Sequence, residues 1–250
     1  MDFVDMAVLV VAGIAGGAAN AIAGGGTFFT FPALVASGLD PLVANASNAV
    51  AIYPGHAAAV PAYRDELRAA GRGLVARGAI ACIGGLVGAG LLLWAGNGVF
   101  SGLVPWLLLA ATLLFAAGPT IRAFAERTRL ESPAVNGAIE FLFAVYGGYF
   151  GAGLGVLLMA ALNIVGVKDV QMANAQKNLL ATLITTISVA IFILAGVVAW
   201  PQTLAVLAGS IAGGYFGARL ARHVPANMLR FVVIAVGFAL TVYYFRQYGA

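Results

Sequence analysis

Charge is the scarcest thing in this sequence. Lysine and arginine number 13 and aspartate and glutamate 9 among 250 residues, so 9% of positions are charged. A soluble domain carries charge on about a quarter of its positions, which excludes a water-soluble globule. The one cysteine, Cys82, lies in an apolar run; it excludes a disulfide framework, offers no metal-ligand spacing and reads as a small residue facing lipid or core. With two histidines and no carboxylates expected to face each other inside the membrane, a nucleophile–base pair or metal cluster is not expected, nor is an enzyme. No cofactor or metal is expected. The first residues, MDFVDMAVLVV, lack the basic flank of a cleavable leader and read as the start of a spanning segment.

Apolar residues are what the chain has instead. Hydrophobic side chains make up 62% of it, mean hydropathy is +0.99, and 33 glycines suit helices packed closely in lipid. At ~20 apolar residues per crossing of a core about 30 Å thick, ten segments emerge. The first half offers 3–22, a short 27–37, 42–62, 74–94 and 99–121; the second offers 135–150, a short 156–167, 170–198, 203–220 and 228–245. The expected fold is therefore an all-α polytopic membrane protein, with a short or broken helix near the start of each half.

The net charge of +4 follows topology and does not point to nucleic acid. Arg64, Arg68 and Arg72 share one loop, Arg122, Arg127 and Arg129 a second, and Arg219, Arg222 and His223 a third. The loops between them, Ala95–Gly98 and Ala199–Gln202, are uncharged. Placing both termini on the non-cytoplasmic side puts every arginine loop in the cytoplasm.

A shift of 129 residues superimposes the two halves without a gap. It lays Ala23-Gly24 on Ala152-Gly153, Gly26 on Gly155, Asp40 on Asp169, Ala44-Asn45-Ala46 on Ala173-Asn174-Ala175 and Gly84-Gly85 on Gly213-Gly214. One register held over so many matches marks an internal duplication, 1–125 and 126–250. An odd number of segments per unit turns the second upside down relative to the first. Inverted repeats with broken helices near the midplane mark secondary transporters.

The candidate chemistry lies at those breaks. Three consecutive glycines, Gly24, Gly25 and Gly26, cost a helix about 1 kcal/mol each relative to alanine; Thr27 is then placed to cap a short helix whose N–H groups form an anion seat. Gly153 and Gly155 repeat the pattern. The alternative use of such glycines is close packing. Asp40 and Asp169 read as caps at helix starts, their carboxylates accepting backbone N–H bonds.

Beyond the caps, Asn45, Ser47 and Asn48 lie inside one helix and Asn174, Gln176, Lys177 and Asn178 inside its counterpart. Asn174, Lys177 and Asn178 share a face. Lys177 falls roughly 10 Å below the interface at ~1.5 Å per residue; a buried ammonium is a functional-site hypothesis, the alternative being a lysine reaching the cytoplasmic surface. Amides, one cation and helix N-termini describe a pocket for a small oxyanion. His56 could carry a coupling proton or serve as a structural hydrogen-bonder. Glu140, within two turns of the cytoplasmic face, reads as snorkelling to the interface, the alternative being a proton relay. Asn20 and Tyr149, equivalent under the shift, are placed to line the site.

Ala23–Thr27, the stretch Gly38-Leu39-Asp40-Pro41 through Ala44–Asn48 with Pro54 after it, and the second-half runs Gly151–Gly155 and Ala173–Asn178 resemble the TauE/SafE family of sulfite exporters and anion permeases. The resemblance covers nearly the whole chain. It implies transport of a small sulfur-containing or carboxylated anion, such as sulfite or an organosulfonate, across the bacterial cytoplasmic membrane. Asn45 and Ser47 depart from the threonine-rich pattern of many members, so the particular anion is left open. Expected partners are that anion and membrane lipid, with no nucleic acid and a homodimer allowed. A carboxylate permease and a non-transporting scaffold are the rival readings.

Overall fold

The computed structural model describes residues 2–23, 25–71, 73–127, 132–220 and 226–248. Gly24, Arg72, Arg129, Arg222 and His223 lie outside the described residues, as do the side chains of Arg122, Arg127 and Arg219.

Glycine and proline decide where the helices stop. Helix α1 (Phe3–Ala23) ends at the glycine run, and α2 (Thr27–Ala36) ends before Gly38, whose φ is +89°. Helix α3 (Pro41–Ala59) begins on a proline, which fits the first turn because no N–H partner is needed there. A 3₁₀ turn and the short α4 (Arg64–Ala69) follow. Arg64 and Arg68 are exposed there, 3.8 and 3.7 Å from Asp65 Oδ1. Helix α5 (Gly73–Arg127) is broken at Gly96, which adopts φ 70° and ψ 176°. Its 55 residues would reach about 80 Å at ~1.5 Å per residue, far more than one crossing, so 73–95 and 97–127 are separate passes.

The second half runs α6 (Pro133–Tyr149), α7 (Leu154–Ile164), α8 (Val170–Leu194), α9 (Trp200–Leu220) and α10 (Ala226–Tyr248). Among the described residues all regular structure is helical. Four helices there are long and apolar enough to cross a membrane. The chain is a multi-pass membrane protein. Its outer surface agrees: Phe3, Trp94, Leu194 and Phe231 are all more than two-thirds exposed, a surface suited to lipid and not to water.

The two short helices are the buried ones. Phe28, Phe31 and Leu34 of α2 are sealed against Phe100, Leu108 and Phe115 of α5 and Val233 and Tyr244 of α10. Leu154, Leu158 and Leu162 of α7 are sealed against Ala81, Ala144, Leu180 and Ile184. A helix that breaks within the bilayer leaves backbone groups unpaired, and only a surround of protein or water tolerates that.

Around them, α1 packs on α9 and the 73–95 part of α5 packs on α6. Backbone meets backbone at these seams. A Cβ added to Gly88 would sit 2.1 Å from the Val145 carbonyl oxygen, and one on Gly213 would sit 2.0 Å from that of Ile14. The 97–127 part of α5 packs on α10, and α3 on α8. Exchanging elements 129 residues apart converts α1–α9 into α6–α5 and returns α3–α8 and α5–α10 to themselves.

One repair holds the α5–α10 seam. Pro119 has no N–H to give the carbonyl four residues earlier, that of Phe115, and Arg230 of α10 donates there from Nε at 3.3 Å, with a terminal nitrogen on the next carbonyl, Ala116 O, at 2.6 Å.

Candidate functional site

At the first break the capping differs from expectation. Gly26, with helical φ and ψ, occupies the cap position of α2 and Thr27 is the first helical residue, so Thr27 is not the cap. Its hydroxyl instead accepts from Asn48 Nδ2 at 3.5 Å, while Thr30 donates to Asn48 Oδ1. Asn48, 2% exposed, thus joins α3 to the first turn of α2. Glycine is needed here for space: a Cβ on Gly26 would meet Gly16 O at 2.6 Å and Asn20 Cβ at 3.0 Å, and one on Gly25 would meet Val233 at 2.7 Å. Asn20 therefore borders the break.

The second break turns differently. Gly151 and Gly153 both have positive φ, 77° and 74°, and Gly153 caps α7 in the left-handed region. Tyr146 Oη donates to Ala152 O at 2.6 Å, fixing the turn. The Tyr149 carbonyl accepts from Asn45 Nδ2 at 3.0 Å, which ties α3 of the first half to the break of the second. The Tyr149 ring stacks edge-on to Phe100, with centroids 5.6 Å apart.

Lys177 lies at this second break. A Cβ at Gly155 would be 3.9 Å from Lys177 Cδ, so the lysine stem runs beside the first turn of α7. Its ammonium donates to Asn174 Oδ1 at 3.2 Å, as their three-residue spacing on α8 allows. Among the described residues no carboxylate pairs with it. Lys177 and Asn178 are half-buried, and His56 lies within electrostatic reach of Lys177. Under the 129-residue shift Lys177 corresponds to Asn48 and Gly155 to Gly26, so each long helix places one polar side chain at the start of the neighbouring short helix.

Two further predicted ligands, besides Asn45, are already engaged. Ser47 is fully buried and its Oγ accepts from Ala199 N at 2.9 Å, just ahead of α9. Gln176 is 5% exposed, and its Oε1 accepts from an Arg77 terminal nitrogen at 2.7 Å. The helix starts also divide. Asp169 Oδ1 accepts from Met172 N at 2.7 Å, whereas Asp40 makes no side-chain cap. The α3 start is served by Asn97 Oδ1, which accepts from Leu42 N at 3.2 Å across the Gly96 break of α5.

Glu140 does not snorkel out to solvent. It is 6% exposed, and its Oε1 lies 3.4 Å from Arg77 Nε, so a buried ion pair joins α5, α6 and, through Gln176, α8. Sequence reasoning missed this pair because each partner is a lone charge near the start of its own apolar helix, where snorkelling is the ordinary outcome.

Comparison with known proteins agrees with this architecture. The chain is 25% identical over 237 residues to a probable membrane transporter protein of Haemophilus influenzae, covering 94% of this chain and 92% of that one. It is equally similar to the probable membrane transporter protein ORF9 of a Sinorhizobium species (95% and 91% covered), and to the probable membrane transporter protein YfcA of Escherichia coli K12 (25% over 235 residues; 92% and 86%). No solved structure matches the chain. The profile of the sulfite exporter TauE/SafE proteins matches residues 9–244, and with buried short helices following each glycine break in a multi-pass helical chain, the protein belongs to the TauE/SafE sulfite exporter family.

Proposed function

We propose that this chain is a secondary transporter that moves a small anion, sulfite or an organosulfonate, across the bacterial cytoplasmic membrane, with export as the direction the family name carries. The observation behind it is the setting of Lys177. A helix N-terminus bears roughly half a positive charge, and the Lys177 stem runs beside the start of α7, with no carboxylate pairing its ammonium among the described residues. Two positive ends brought together in a partly desolvated place repel unless an anion lies between them. A carbonyl-lined or carboxylate-lined site would bind a cation; this one would not.

In this reading Lys177, Asn174 and Asn178 hold the anion from α8, with backbone N–H groups around Gly153 and Gly155. Asn48, Thr27, Gly25 and Gly26 form the opposing side. Asn45, Ser47 and Gln176, spent on Tyr149, Ala199 and Arg77, position the helices around it. The packing pairs preserved on exchanging the halves support two inverted repeats, 1–125 and 126–250, moving against each other for alternating access, with both termini outside.

The test is a flux assay in proteoliposomes containing the purified chain, with sulfite, alkylsulfonates and carboxylates offered in turn, with and without a pH gradient. Saturable sulfonate or sulfite flux that Lys177→Met abolishes and Lys177→Arg retains is expected. Flux of carboxylates alone would reassign the substrate, and flux of none would remove the transport reading.

A further inference from the structure

The ion pair between Arg77 and Glu140 has no place in the anion pocket just described, yet it is buried in an apolar protein. Burying a charged pair is a poor way to stabilise a fold, because desolvation consumes the attraction. The counterpart seam between α1 and α9 carries no such pair: at the positions 129 residues away Val206 is buried in the seam and Val11 faces outward, 64% exposed. The pair is also incompletely satisfied. Glu140 Oε1 faces Arg77 Nε at 3.4 Å but completes no hydrogen bond, so one buried carboxylate oxygen has room for a proton. Arg77, for its part, holds Gln176, the residue next to Lys177 on α8.

The charged surroundings of Glu140 are few. The 73–95 part of α5 offers Arg77 and Cys82; α7 offers no titratable side chain; α8 offers Lys177 alone; α6 itself adds Tyr146 and Tyr149. The 97–127 part of α5 carries Arg122, Glu126 and Arg127 in its last two turns. With Glu140 ionised, the group Arg77, Glu140 and Lys177 holds a net charge of +1; with Glu140 protonated it holds +2.

Resting on the anion-transport reading, we infer that Glu140 is the site at which a proton is bound together with the anion, and that Arg77 is the charge this proton uncovers. The proton goes to a carboxylate oxygen of Glu140 and no other bond changes. It cancels the attraction that holds Arg77 and strengthens the positive field around Lys177, beside the start of α7, where the anion sits. Coupling of this kind is reciprocal: the anion raises proton affinity as much as the proton raises anion affinity. Proton and anion therefore travel together, and with a singly charged anion the cycle moves no net charge.

The experiment uses the full chain in detergent and ethanesulfonate, whose charge does not change between pH 5.5 and 8.5. Titration calorimetry in buffers of different ionisation enthalpy counts protons taken up per anion bound. Wild type is expected to take up one proton in the upper part of this range, with affinity falling about tenfold per pH unit there. Glu140→Gln should bind ethanesulfonate with no proton uptake and no pH dependence, while Glu140→Asp and His56→Gln keep both. In proteoliposomes, wild-type ethanesulfonate flux should follow a pH gradient and ignore a potential imposed with potassium and valinomycin.

Binding by wild type without proton uptake overturns this inference and leaves the anion reading standing. So does a pH dependence that vanishes in His56→Gln and persists in Glu140→Gln. Failure of wild type to bind or move any anion removes both. Should Glu140→Gln not fold, the proton count on wild type and on His56→Gln decides alone.

Discussion

Replacing Lys177 with methionine keeps the length and most of the apolar stem and removes only the charge. Under the proposed anion-transport function, that charge has two opposite effects. With the anion bound, the ammonium makes one charge-assisted contact, worth about 1.5–3 kcal/mol. At 1.4 kcal/mol per factor of ten, its loss should weaken binding by roughly 10- to 150-fold. With the pocket empty, the same lysine runs beside the start of α7, with Asn174 its one hydrogen-bond partner among the described residues. A charge of the wrong sign at a helix end costs about 0.3–1 kcal/mol, and up to ~2 kcal/mol where partly buried. Removing it should therefore stabilise the empty protein by about 1 kcal/mol. The assay is unfolding in mixed micelles by titrated SDS, followed by circular dichroism, with and without ethanesulfonate. Wild type should gain stability from the anion and Lys177→Met should not, yet the variant should be the more stable of the two when no anion is present. A variant that is less stable when empty, or that gains as much from the anion as wild type does, would refute the electrostatic argument.

Three further outcomes follow from the packing and the caps. Gly88→Ala, whose new methyl would meet the Val145 oxygen at 2.1 Å, should destabilise by about 1–3 kcal/mol, whereas Gly90→Ala, with nothing within 4 Å, should be neutral or slightly stabilising in the same SDS titration. Arg230→Met leaves the Phe115 carbonyl without a donor and takes one from Ala116; a loss of about 1–3 kcal/mol is expected, and it should shrink when Pro119→Ala restores the N–H that Phe115 lacks. Asn97→Ala should cost about 0.5–2 kcal/mol as the loss of a helix cap, while Asp40→Ala costs less, since the α3 start relies on Asn97.

Much of the helical order was readable because breaks are written in local chemistry. Gly38, Gly96, Gly151, Gly153 and Gly166 all adopt positive φ, and each stands where the apolar pattern ends or turns. The 129-residue register placed the short helices second in each half before any contact was known. The sequence gives little warning of choices made between distant segments. Asp40 and Asp169 look alike as helix starters, but only Asp169 bonds its own helix, because Asn97 reaches Leu42 first. Glu140 and Arg77 each look like a solitary interfacial charge until α5 and α6 are laid side by side. Gln176 and Ser47 carry the polar groups a ligand needs, and whether these point to a ligand or to Arg77 and Ala199 depends on helices far along the chain. Arg230 becomes legible only beside the proline whose gap it fills.

The glycine seams have a consequence for how the molecule is made. The 73–95 pass meets α6 almost as soon as both have left the ribosome, but α1 must wait for α9, which begins at Trp200. Until then the bare glycine face of α1, with Gly13 and Gly17 shaped for the backbone of Ser210 and its neighbours, has only lipid or an insertion factor for company. Chains stopped after α8 should therefore carry a finished α5–α6 seam and an orphaned first helix. Such nascent chains should be cleared by membrane quality control faster than chains stopped after α9, because assembly concludes with the oldest helix joining one of the youngest.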